Sequence, residues 1–362
     1  MNKELIYALL RLSLSKDDDN LGVFKAIDNA TWEWAYNLLS MHGVAALVCN
    51  GIEEKCSGVA IPADVVMNFV GANSFSRRSY AKLEYLALKL DKFAKEVGVK
   101  CLLLKGKSLA GYYPVPELRK FLDIDIYAPG NEAFVDETFV SKGVKVETDF
   151  YRHSHMTLSG VLVENHHYLL DVRGRKKLAI LDADLKQMAL NHLKSYDEPG
   201  LYHPDARFSL IFNLHHAMSH FIYEGISFKF LVDWIFFLRK EKELLSGEDV
   251  ALSLHEHDVL KFAAVMSEVS VRHLGLDLGD VPACIRKEMA GLKPYVIDKF
   301  IDDLFRSYEP SHKKNLMAER LNNVRRIIKS AWKPKVFLGQ SAIRFVWGKF
   351  VPILMGQKFE AD

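Results

Sequence analysis

Apolar positions along the chain recur first at helical spacing, then at strand spacing, then at helical spacing again. Ile6, Leu9, Leu10 and Leu12 make one helical stripe; Trp32, Tyr36, Leu38 and Leu39 make another, with Asn29 and Thr31 as candidate caps. A third helical stretch follows Pro62, runs through Tyr80, Leu83, Leu86, Leu90 and Phe93, and stops at Gly98. From Val99 the runs Val99–Lys105, Leu122–Tyr127, Val144–Thr148, His155–Leu158 and Val161–Val172 read as strands separated by glycine or charged turns. After Arg173-Gly174-Arg175 helices return over Phe208–Phe221, Phe228–Leu238 and Leu260–Leu274, and Pro282, Pro294, Pro310 and Pro334 punctuate shorter pieces. The pattern predicts an α+β fold: a small mixed sheet flanked by mainly helical N- and C-terminal regions. Its expected divisions are 1–95 (helical), 96–175 (α/β core), 176–290 (helical) and 291–362 (a basic, aromatic helical tail).

Composition sharpens this picture little. With 362 residues, 49% hydrophobic and 26% charged, the chain can bury a large core. A net charge of +2 excludes an argument for nucleic-acid binding from bulk charge alone. Cys49, Cys56, Cys101 and Cys284 are widely spaced, form no C-x-x-C pair and suit a reducing compartment. No signal-peptide core and no apolar run of bilayer length is visible, so a cytoplasmic location without a transmembrane segment is expected.

The chemistry concentrates in Leu102-Leu103-Leu104-Lys105-Gly106-Lys107-Ser108 and in Asp123-Ile124-Asp125. Side chains alternate along a strand, so Asp123 and Asp125 project together while Ile124 and Ile126 enter a core. Paired carboxylates repel, a cation relieves the repulsion, and oxygen ligands favour magnesium or manganese. The turn at Gly106 would let backbone N–H groups approach a phosphate, with Lys107 and Ser108 beside it at the start of a helix. Lys105 and Lys107 alternate, so one of them should face the site as a point charge. Arg119 could grip a phosphate or pair with Glu117. A third carboxylate is expected nearby: Leu162, Glu164, His166 and Tyr168 share one face of the next strand, which selects Glu164 and leaves Asp171 in reserve.

Leu104-Lys105-Gly106, Tyr112-Tyr113-Pro114-x-Pro116-x-Leu118-Arg119, Asp123-Ile124-Asp125 and Glu164-Asn165-His166 occur in an order that resembles the uncharacterised nucleotidyltransferase family of the polymerase β-like superfamily. The early Trp32 helix leading to His42-Gly43-Val44, the later histidine-bearing helix and Asp233 fit as well, so the likeness spans roughly residues 30 to 275. It implies an enzyme that moves a nucleoside monophosphate from an NTP to an acceptor hydroxyl and releases pyrophosphate. Asp123, Asp125 and Glu164 would be both catalytic and metal carboxylates for Mg2+ or Mn2+. Lys105, Gly106, Lys107, Ser108 and Arg119 would meet the nucleotide. Leu122 stands where the family usually has glycine, and Lys107 is inserted into the superfamily's glycine–serine turn. These departures define the alternative: a catalytically degenerate nucleotide-binding or interaction module.

Histidines support a weaker alternative. His153-x-His155, His166-His167 and His215-His216-x-x-x-His220 could serve a zinc hydrolase, since His216 and His220 share a helical face. No H-E-x-x-H motif accompanies them, and His166 could instead support the Glu164 metal from outside its ligand shell. Acceptor choice would fall to the flanking helices, with His215, His220 and Asp233 as candidates. From Lys313 to Lys358 eleven basic residues and one acidic residue, Glu319, interleave with aromatics. That tail could make weak contact with an anionic surface, but its many apolar positions read better as packing on the body.

Overall fold

The computed structural model describes residues 2–15, 21–25, 27–56, 59–173, 175–306, 329–339 and 341. Four helices open the chain: α1 (Lys3–Leu14), α2 (Asn29–Met41), α3 (Ala45–Lys55) and α4 (Ala63–Val97). The α/β part follows as β1 (Lys100–Leu104), α5 (Lys105–Ala110), β2 (Asp123–Tyr127), α6 (Glu132–Ser141), β3 (Val146–Glu147), β4 (His153–Leu158) and β5 (Val161–His166). Then come α7 (Lys176–Lys194), β6 (Gly200–Tyr202), α8 (Ala206–Tyr223), α9 (Phe228–Glu241), α10 (Glu248–Glu256), α11 (Leu260–His273), α12 (Ala283–Ala290), α13 (Pro294–Leu304) and α14 (Trp332–Phe337). This is an α+β chain with one mixed sheet, ordered β3-β4-β5-β2-β1-β6. The β2–β5 and β1–β6 pairs are parallel and the others antiparallel.

Alternation gives the sheet two unlike faces. Cys101, Leu103, Ile124, Ile126, Met156 and Val163 point back into a core completed by Leu83, Leu86 and Leu90 of α4 and by Val135 and Phe139 of α6. Leu102, Leu104 and Tyr127 point forward into the larger, helical core, whose bulk includes Trp32, Phe208, Phe221, Phe228, Phe262 and Phe300. Of the remaining forward positions, Asp123, Asp125, Glu164 and His166 are polar and form the site, with Leu162 on the same face. Gly98 closes α4 at φ 73°, a left-handed conformation that glycine adopts without cost, and this turns the chain directly into β1.

Three differences from the sequence reading have local causes. The apolar run Val161–Val172 is paired only as far as His166, because the N–H groups of His167 and Tyr168 both turn to the Arg152 carbonyl (2.7 and 3.0 Å). A short strand, β6, extends the sheet from within a stretch expected to be helical, and a helix, α6, fills the interval between Tyr127 and Val144 where the sequence pattern predicts no element. Of the basic tail, α14 falls among the described residues: Phe337 packs on Phe221 and Phe262, and Lys333 is buried with its ammonium on Asp303 (2.9 Å). The rest of Lys313–Lys358 lies outside them, apart from a few residues flanking α14. No helix among the described residues is long and apolar enough to cross a membrane.

Candidate active site

Three carboxylates meet on the forward face because two strands run parallel in register. Asp123 lies opposite Leu162 and Asp125 opposite Glu164, so the expected parity holds across the β2–β5 ladder. On the far side of β5, His155 lies opposite Glu164 and His153 opposite His166, which adds an imidazole row to the same face. Asp171 takes no part: it lies beyond β5 and pairs with Arg173 (3.0 Å) and Arg175 (3.7 Å).

Lys105 closes the cluster. Its ammonium is 2.7 Å from Asp125 Oδ1 and 3.6 Å from Glu164 Oε2, while His166 Nε2 donates to Asp125 Oδ1 at 3.0 Å. The residue holds φ 42°, a left-handed conformation unusual for lysine, where β1 passes into α5. Burial alone would raise the Asp125 pKa, yet Lys105 and His166 hold it well below the ordinary range. Glu164 goes the other way: burial, with Asp125 beside it, lifts it to about 7 against the pull of Lys105. Burial and the Asp125 charge also raise Asp123. Burial lowers His166 to about 4, so it meets Asp125 as a neutral imidazole donating Nε2–H. Oxygens of Asp125 and Glu164 lie within 4.8 Å of one another, close enough to share an ion, while the His166 nitrogen within the same reach serves Asp125 as a donor. The Lys105 ammonium already stands as a cation between the two carboxylates, so this donor set fits a small divalent cation.

A cavity of about 590 Å³ opens in front of the carboxylates. Asp123, Asp125, Glu164, Lys105 and Gly106 form its sheet wall; Asn213, His216, His220, Lys229 and Asp233 of α8 and α9 form the wall opposite. Leu122, half exposed, lies on its rim. His220 also accepts from or donates to Glu224 (2.8 Å), whereas His215 turns away to the His257 side, so the expected trio His215, His220 and Asp233 is only partly assembled.

The expected phosphate turn is organised differently. Residues 105–110 form a helical turn, on which Lys105 and Lys107 face opposite ways. Lys107 reaches back to Tyr80 and Glu84 of α4, and neither it nor the buried Ser108 lines the cavity. Gly106 is required by packing, since a Cβ there would come within 2.8 Å of the Phe121 ring. Arg119 pairs neither with Glu117 nor with an open anion position. Its guanidinium grips Asp233 through two N–H groups (2.8 and 2.9 Å) and donates a third to the Gly106 carbonyl (2.9 Å). Tyr113 donates to the same Asp233 (2.7 Å). Arg119 therefore ties the turn to α9.

Lys229 is the cation that sequence reasoning missed. Burial and the nearby Arg119 lower its pKa to about 8. Among the described residues no hydrogen bond or ion pair involves its ammonium. A signal was available: Lys229 and Asp233 are charges four apart in the apolar run Phe228–Leu238, and both face the cavity.

Comparison with known proteins agrees with this geometry at the level of family. No curated protein and no solved structure matches the chain. Residues 28–275, more than half of its length, match the family described as an uncharacterised nucleotidyltransferase, and the chain belongs to that family.

Proposed function

We propose that this protein is a metal-dependent nucleotidyltransferase that moves a nucleoside monophosphate from an NTP to an acceptor hydroxyl. One observation carries the reading: Asp123, Asp125 and Glu164 share the forward face of adjacent parallel strands and open into a cavity large enough for a nucleotide. Mg2+ or Mn2+ held by these carboxylates would supply charge neutralisation of the triphosphate and of the leaving pyrophosphate. His166 fixes the Asp125 carboxylate by its hydrogen bond. Lys229 meets the phosphates from the opposite wall, where its ammonium lies over the Phe230 ring with no hydrogen bond or ion pair among the described residues to give up. Lys105 balances the carboxylates before the substrate arrives.

In the reaction the acceptor oxygen forms a bond to the α-phosphorus, the bond to the β-phosphate oxygen breaks, and pyrophosphate leaves. The acceptor proton passes to Glu164, whose elevated pKa suits a base working near neutral pH. The acceptor binds against α8 and α9, with Asn213, His216 and His220 along its path.

Thermal-shift measurements with each NTP, with and without Mg2+ or Mn2+, test the reading. A metal-dependent rise in midpoint that Asp123→Asn and Asp125→Asn abolish is the expected result. A rise without metal, unaltered in these variants, would instead assign the chain as a nucleotide-binding module. That second outcome has its own motivation, because Lys105 already satisfies two of the carboxylates.

A further inference from the structure

Glu164 uses its two oxygens differently. Oε2 faces Lys105 (3.6 Å) and His166 (3.7 Å), on the side of Asp125. Oε1 faces Nε2 of His155 at 3.4 Å and Nε2 of His153 at 3.7 Å. These last two separations exceed the roughly 2.7–3.2 Å of a nitrogen–oxygen hydrogen bond. The His155 separation equals the edge of a tetrahedral shell, about 3.3–3.4 Å when metal–ligand bonds are about 2.0–2.1 Å, and the His153 separation is about 0.3 Å longer. One donor atom from each of His153, His155 and Glu164 lies within 4.8 Å of the others.

The surroundings hold the two rings in place. His153 and His155 are successive forward-facing residues of β4, and their rings stack with centroids 4.6 Å apart. Phe150 covers them, 3.9 Å from the His155 ring and 5.9 Å from that of His153. All three candidate ligands are mostly buried, with side chains 11%, 18% and 14% exposed. Nδ1 of His153 has no hydrogen-bond partner among the described residues, so no protein bond dictates its tautomer and Nε2 can carry the lone pair.

We propose that His153, His155 and Glu164 form a binding site for a divalent transition-metal cation of the zinc class, separate from the oxygen-ligand position at Asp123 and Asp125. Two imidazoles and one carboxylate are a donor set that magnesium does not favour and that zinc, cobalt and nickel do. The site goes beyond the nucleotidyl-transfer reading and shares only Glu164 with it. It uses Oε1 of Glu164 and leaves Oε2 to the cavity.

Titration of metal-free, full-length protein with Co2+ tests the site, because cobalt in a low-coordinate nitrogen–oxygen site absorbs visibly. One bound equivalent is expected, displaced by Zn2+ and resistant to excess Mg2+. His155→Gln and the double variant H153N/H155N, checked for native far-UV circular dichroism, should weaken that equivalent at least about tenfold. Should the double variant fail to fold, the single variant decides. Asp123→Asn should retain the cobalt equivalent while losing metal-dependent nucleotide binding, so the two readings can fail separately. The site is overturned if wild-type protein binds no cobalt equivalent, or if folded His155→Gln binds it as tightly as wild type.

Discussion

Ile124 and Asp125 are neighbours on β2 and equally buried, at 0% and 2% exposure, yet they belong to different chemical worlds. Ile124 points back into close-packed carbon from α4 and α6. Asp125 points forward onto an ammonium, an imidazole and a second carboxylate. The backward face gains from every buried methyl group, whereas the forward face must balance charge against charge in a poorly solvated place. One step along a strand thus separates residues that make the fold from residues that would do its chemistry. It also explains why burial on the forward face brings shifted pKa values in opposite directions.

The sharpest way to break this comparison is Asp123→Asn. This residue is a proposed metal ligand that burial and Asp125 already push toward the neutral form. Transfer activity should fall at least about a thousandfold, roughly 4 kcal/mol of transition-state stabilisation, with the urea midpoint essentially unchanged. A comparable loss of stability would mean that the forward face holds the fold as well. Next in size, Asp233→Ala strips Arg119 of a buried two-point partner. It should cost about 3–5 kcal/mol in chemical denaturation, because an unpaired guanidinium remains behind. Ile124→Ala should cost about 2–4 kcal/mol by leaving a cavity on the backward face, while nucleotide affinity per folded molecule stays as in wild type.

Glu164→Gln gives the smallest and most diagnostic effect. The native pKa of Glu164, about 7, lies above its ordinary value of 4.5, so the native state holds the proton more tightly than the unfolded chain. Its contribution to stability is full below about pH 4.5 and is lost as pH rises through 7. The variant removes that dependence. Measured without metal, its stability relative to wild type should therefore improve by about 2 kcal/mol between pH 5 and pH 8. Groups titrating elsewhere in that window, such as Lys229, largely cancel in the difference. A flat difference across the window would show that Glu164 titrates ordinarily.

How much of this was legible in the sequence depended on distance along the chain. Strand parity is local, so the common face of Asp123 and Asp125, and the choice of Glu164 over Asp171, could be read directly. The placement of Arg119 could not, since its partner Asp233 is 114 residues away and Glu117 looked nearer. Lys105 and Lys107 were correctly expected to diverge, but a helical turn rather than a strand end separates them. β6 has three residues, too few for any alternation to show. The spacing of His153-x-His155 showed the histidine pair, but not its link to Glu164, which reaches it only across the ladder.

The long helix α4 has a consequence for how the molecule comes apart. It runs for 35 residues, about 50 Å, and its first turns place Val65 and Phe69 in the helical core while Leu83, Leu86, Leu90 and Ala94 lie behind the sheet. A rod embedded in both masses couples their melting: losing either one exposes part of the same helix and weakens the other's wall. Sheet and helical body are thereby bound into a common cooperative unit, and amides of β2 and of α8 should share a similar free energy of opening in hydrogen exchange.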